Sequence, residues 1–205
     1  MEAKLINILD TYDINYLKIN DQKQIYDVLN MFTNDIIILN TNNDLILSYY
    51  LGCYYKIKQD YTNMIIHFNI AAELDEINSI IYLAHYYEDN NDHIKTEKFY
   101  LQGIKLGSIT CLSDFGGYYQ DQQNYYLMKK YYNLAIDHGS TDAMINLGDY
   151  YASISDYELM KKYYIDAANL GDRKAMLYLI YQYKIEKDFT NMQKYYMMSL
   201  LTKKL

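Results

Sequence analysis

Thr141 to Asp172 reads TDAMINLGDYYASISDYELMKKYYIDAANLGD, and this stretch decides the fold. Met144, Leu147 and Tyr151 recur at steps of three and four, the period of a helix face and not the alternation of a strand. Ser140, just before it, and Asp156, at its middle, are N-cap residue types, and each precedes an apolar-periodic run. Gly171 follows the second run, where a left-handed residue closes a helix. The stretch therefore reads as helix, short turn, helix, short turn.

Working outward, the pattern repeats. The pairs Tyr54-Tyr55, Tyr86-Tyr87, Tyr118-Tyr119 and Tyr150-Tyr151 lie 32 residues apart, as do Phe99-Tyr100, Tyr131-Tyr132, Tyr163-Tyr164 and Tyr195-Tyr196. Five ungapped blocks result: 45–76, 77–108, 109–140, 141–172 and 173–204. Asp60, Asp92, Asn124, Asp156 and Asp188 form a column of N-caps, and Gly107, Gly139 and Gly171 a column of helix closers, each followed by another cap type, Ser108, Ser140 or Asp172. The first helix of a block spans roughly 45–57 and the second roughly 61–74. Gly52, Ala84, Gly116 and Gly148 share one position in the first helix; Ala71, Gly103, Ala135 and Ala167 share one in the second. A mid-helix glycine costs about 1 kcal/mol relative to alanine, so its recurrence implies that two helices approach closely there. Tyr55, Tyr87, Tyr119, Tyr151 and Tyr183, and likewise Phe68, Tyr100, Tyr132, Tyr164 and Tyr196, are columns that solve the same packing problem in each block, hence scaffold. The column Tyr54, Tyr86, Tyr118, Tyr150 either seals the contact between blocks or lines a groove edge.

Composition bounds what such an array does. Of 205 residues, 51% are apolar and 22% charged, which fits a folded chain; there are 28 tyrosines and no proline, which removes the usual helix breaker. A net charge of -7 opposes phosphate backbones, so nucleic acid is not the expected partner, and Lys129-Lys130 and Lys161-Lys162 read as solvated helix face. Two cysteines, Cys53 and Cys111, fit a reducing intracellular, cytoplasmic setting. Residues 1–10 lack the apolar run of a signal peptide, and the densest apolar run near them, Ile36 to Leu39, is too short to span a bilayer. No nucleophile elbow, zinc signature or phosphate loop occurs, and His85, His93, Glu88, Asp89 and Asp92 fall around an expected turn, so no metal, cofactor or catalytic residue is assigned.

Block four has Ala143, Leu147-Gly148 and Tyr151, then Lys161, Tyr163-Tyr164, Ala167-Ala168 and Gly171-Asp172. These residues resemble the SEL-one-like repeat family, a relative of the tetratricopeptide repeat, over about residues 45 to 204. Two features depart from that pattern: Met160 stands where alanine is common, and the Gly-x-Gly turn between helices is absent. The Tyr-, Ile-, Asn- and Lys-rich wording is also similar to repeat proteins of giant viruses of amoebae, which would place the chain in a host cytoplasm. The resemblance implies an all-α fold, a right-handed α-solenoid of about five helix-turn-helix units, with residues 1–44 as an N-terminal cap or degenerate repeat. It implies a non-enzymatic scaffold or adaptor that binds a partner peptide or helix on a concave face lined by the first helices. By column, the partner-binding candidates are Tyr49, Cys53, Lys56, His85, Glu88, Gln120, Asp149, Tyr181 and Lys184. Their variation suits a surface that reads one irregular partner, and equally suits exposed positions that drift. The alternative expectation is a structural protein that self-associates through its C-terminal helix, residues 189–205. There Met197, Met198, Leu200 and Leu201 are more apolar than their equivalents, and Ile180 replaces the small residue of the first helix.

Overall fold

The computed structural model describes residues 45–202, so the cap expected over 1–44 lies outside the described residues. Among those residues the regular structure is ten α-helices and no strand: α1 (Leu45–Ile57), α2 (Tyr61–Glu73), α3 (Ile77–Asp89), α4 (His93–Lys105), α5 (Ile109–Asp121), α6 (Tyr125–Asp137), α7 (Thr141–Ser153), α8 (Tyr157–Asn169), α9 (Arg173–Ile185) and α10 (Phe189–Leu201). Each helix has 13 residues, and three-residue links join them. The backbone thus recurs twice within each 32-residue block, while the side chains recur once.

The links follow from cap chemistry. Asp60, Asp92, Asn124, Asp156 and Asp188 each accept the backbone N–H three residues on, at 3.1–3.2 Å, so each satisfies one of the orphan donors of a helix start. Ser108, Ser140 and Asp172 do the same for the other helix type at 3.2, 3.1 and 2.8 Å. Glu76 fills that role at the start of α3. The same residues also end the previous helix. Ser140 N–H donates to Ala135 C=O at 3.0 Å while Gly139 N–H donates to Ile136 C=O at 2.8 Å, the two bonds of a Schellman closure. Asp60 and Gln59 close α1 in the same way, onto Tyr55 and Lys56.

The closing residue has a left-handed backbone. Gly107, Gly139 and Gly171 hold φ of 84°, 85° and 94°. After the first helix of each pair the same region is occupied without glycine, by Gln59, Asn91, Gln123, Ser155 and Lys187, with φ of 55° to 61°. Asp75 (φ 64°) completes the glycine column. No residue type marks those non-glycine positions, which is why the sequence did not disclose them.

Inside each pair, rings set the spacing. Tyr55 stacks on His67, Tyr87 on Phe99, Tyr119 on Tyr131, Tyr151 on Tyr163 and Tyr183 on Tyr195, with centroids 5.3–5.8 Å apart and planes within 8° of parallel. The next column, Phe68, Tyr100, Tyr132 and Tyr164, is buried, and the rings of Phe68, Tyr132 and Tyr164 lie in the slots left by Gly52, Gly116 and Gly148. A Cβ added at Gly116 would sit 2.5 Å from Tyr132 Cδ1. The fifth member departs from the expectation of a uniform scaffold column. Ile180 brings a branched side chain to the slot position, and Tyr196 is 52% exposed.

The described helices fall into two compact units, one ending at Leu106 and the other starting at Gly107. Within the second unit Met160, Tyr164, Ala167 and Ala168 of α8 bury against Ala175, Met176, Leu179 and Tyr183 of α9. The Tyr54 column resolves toward sealing. Tyr54, Tyr118 and Tyr150 are buried, Tyr86 packs on Tyr61 of the preceding pair at 6.3 Å, and Tyr150 packs on Tyr125 at 5.3 Å.

Candidate functional site

The candidate partner-binding residues lie on the first helices at steps of three and four, which places them on one stripe of each helix. In the unit ending at Leu106 the α1 stripe reaches α3. The Lys56 ammonium sits 3.9 Å from the centroid of the Tyr82 ring, a cation–π contact between the two helices. The half-buried Tyr49 bonds to Cys53, and its ring lies 6.2 Å from Phe68. Burial, then the Cys53 neighbour, pushes the Tyr49 hydroxyl well above its ordinary range. Burial likewise pushes the Cys53 thiol up to about 11, against the opposing pull of the Tyr49 hydrogen bond and of Lys56. At neutral pH both groups are therefore protonated, and Cys53 lacks the thiolate a nucleophile requires. His85 is exposed, its ring edge-on to Tyr100 at 6.0 Å.

Several of the polar candidates answer a buried hydroxyl. Tyr100 donates to Glu88 at 2.6 Å, Tyr132 donates to Gln120 at 3.2 Å, and Tyr164 donates to Asp149. Phe68, which has no hydroxyl, is matched by Lys56, which has no acceptor. Where Ala152 offers no acceptor, Asp149, one turn earlier, supplies it. A buried hydroxyl left unpaired costs roughly 1–3 kcal/mol, so this column follows the core as well as any partner. Burial pushes the Tyr132 hydroxyl up to about 12, despite a hydrogen bond with Asn146 that lowers it, and burial together with Asp149 raises Tyr164 further. The matching is partial in the sequence: Glu88 and Gln120 stand at the position matching Tyr100 and Tyr132, but Ala152 and Lys184 stand there for Tyr164 and Tyr196.

What remains outward on these stripes is His85 and Lys56 in one unit, and Tyr181, Lys184 and the exposed edge of Asp149 in the other. Tyr181 is 63% exposed. Around His93, Asp92 caps α4 and pairs with Lys95 at 3.1 Å, and Glu88 is held by Tyr100. Among the described residues no group of three His, Cys, Asp or Glu side chains is placed to share a metal ion, and no helix is long and apolar enough to cross a membrane.

The caps, slots and stacked rings define an all-α protein of helix-turn-helix repeats. No protein-family model matches the sequence, and no curated protein matches it either. Among solved structures, the crystal structure of a Sel1 repeat protein from Oxalobacter formigenes is similar, with a TM-score of 0.62 over 92% of this chain and 91% of that one, at 17% identity. The chain has the repeat-solenoid fold of that protein; at this identity the likeness concerns the fold alone.

Proposed function

We propose that this chain is a non-catalytic protein-interaction scaffold that presents the outward first-helix residues to a partner peptide or helix. The observation that carries the reading is the contrast between columns. The stacked ring pairs and caps hold through all five helix pairs, whereas the position occupied by Cys53, His85, Gly117, Asp149 and Tyr181 holds a different residue type in every block. Packing that repeats needs repeated residues; an irregular partner needs irregular ones. Exposed Tyr181 suits the role, since tyrosine is enriched where interfaces concentrate their energy. The protonated Cys53 and Tyr49 support a binding role over covalent chemistry.

The test is site-specific photocrosslinking in native lysate with the crosslinker at position 85, 181 or 162. A partner captured from 85 or from 181, and not from 162 on the second-helix face, is the expected result. His85→Ala with Tyr181→Ala should remove that partner at unchanged helicity. Asp149 is left intact in this variant because its loss would strand the Tyr164 hydroxyl. Equal capture from 162, or capture that survives the double variant, would place binding on another surface.

A further inference from the structure

Within each unit, the second helix of a pair offers its successor a ring and, four residues on, a small or aliphatic side chain. In the unit starting at Gly107, Tyr164 and Ala168 of α8 are buried, and Tyr178 of α9 stacks on Tyr164 with centroids 3.9 Å apart and planes 13° from parallel. In the other unit Phe68 and Ala72 of α2 are buried, and Tyr82 of α3 stacks on Phe68 at 5.1 Å and 11°. The residues of α10 at these positions are Tyr196 and Leu200, which are 52% and 41% exposed, with Met197 beside them at 51%. The face that elsewhere is an interface keeps its apolar chemistry here, and among the described residues no helix covers it. A helix pair that shields an array from water carries a polar outer face instead.

The observed interfaces also say what fits. Tyr82 and Tyr178 both stand sixth in their helices; α5 and α7 have Asp114 and Asn146 there, and α1 has Tyr50, which is only half-buried. We infer that the Tyr196–Leu200 face of α10 is a docking site for a second copy of this chain, which enters through its α1 so that its Tyr50 stacks on Tyr196. The contact repeats the ring-on-ring geometry already present at Phe68–Tyr82 and Tyr164–Tyr178. It joins two different surfaces, so each added copy leaves one of each kind for the next, and association proceeds head to tail, into a ring or an open series, and not as an isologous pair. The partner stripe of the proposed function uses other residues, so either reading can fail without the other.

Two measurements on the full 205-residue chain test this. Sedimentation velocity from about 1 to 100 µM, a range that brackets weak to moderate interfaces, should show mass rising with concentration. Tyr196→Lys with Leu200→Glu, both exposed, should sediment as a monomer at wild-type helicity, and Tyr50→Lys should do likewise. An equimolar mixture of the two variants should form a dimer and nothing larger, because one intact α1 meets one intact α10. A wild type that stays monomeric, or a Tyr196→Lys, Leu200→Glu variant that associates like wild type, overturns the inference. Should Tyr50→Lys fail to fold, a photocrosslinker at position 196 in a mixture of heavy- and light-isotope chains decides instead. Crosslinks from 196 to residues 45–57 of the other isotope are expected. Crosslinks to 189–201 of the other copy, or to residues 1–44 of the same copy, refute the assignment.

Discussion

The glycine slots allow a quantitative test of what sets the helix spacing. Replacing Gly116 by alanine acts in two opposite directions. Mid-helix, alanine is favoured over glycine by about 1 kcal/mol. The new methyl, however, would lie 2.5, 2.7 and 3.0 Å from three ring carbons of Tyr132, a buried ring pinned by hydrogen bonding to Gln120. All three approaches are at or under the closest that carbon tolerates, so ring or helix must move, and overpacking of this kind costs about 1–3 kcal/mol. With the cost at its upper end, Gly116→Ala should lose about 2 kcal/mol net. At Gly148 the approaches to Tyr164 are 3.0, 3.3 and 3.3 Å, a misfit of a few tenths of an ångström. Gly148→Ala should therefore fall near zero, with propensity and crowding cancelling, whereas Gly148→Val, with two further methyls, should lose about 1–3 kcal/mol. Urea unfolding followed by far-ultraviolet circular dichroism gives the ranking directly. If Gly116→Ala is as stable as wild type, or if Gly148→Ala is the worse of the two, ring contact does not set the spacing and the reasoning is wrong.

Three further outcomes are expected. Ser155→Gly should raise stability by up to about 1 kcal/mol, because relief of a left-handed residue exceeds the entropy cost of glycine, while Gly139→Ala should lose about 1 kcal/mol; thermal melts of both check the sign. Ser79 Oγ is buried without a hydrogen-bond partner, so Ser79→Ala should be neutral or stabilising by about 1 kcal/mol in urea, and a clear loss would mean the hydroxyl is paired. Cys53, with its thiol raised from 9.0 to about 11, should alkylate about 100-fold more slowly than an ordinary thiol near pH 8 and reach the ordinary rate in urea; mass spectrometry of iodoacetamide labelling reads both rates.

Much of the fold was legible because caps and slots use restricted residue types. An Asp/Asn column before each second helix and a glycine column after three of them fixed most boundaries, and α2 ends one residue before the expected limit, with Leu74 as its C-cap. The closing residues Gln59, Gln123 and Lys187 were not legible, since the strain there is absorbed by the Schellman bonds and leaves no compositional mark. Tyr196 was grouped with the scaffold by its column, although Ile180 stands at its slot position. The candidate site was legible as a stripe but not as a set of partners. Tyr–acceptor pairs such as Tyr132–Gln120 and Tyr164–Asp149 span 12 or 15 residues, and only the packed helix pair shows which acceptor a given hydroxyl reaches.

Ser140 ends α6 with its N–H and opens α7 with its hydroxyl, so the last residue of that link serves two helices at once. A break at a link between two blocks, rejoined at the equivalent link of another, keeps slot, ring pair and hydroxyl–acceptor pair together. Unequal recombination at those links therefore changes the number of helix pairs in whole steps and leaves the packing inside each pair as it was. Copy number and surface identity are free to diverge separately, the first through duplication and the second through point substitution at the outward first-helix positions.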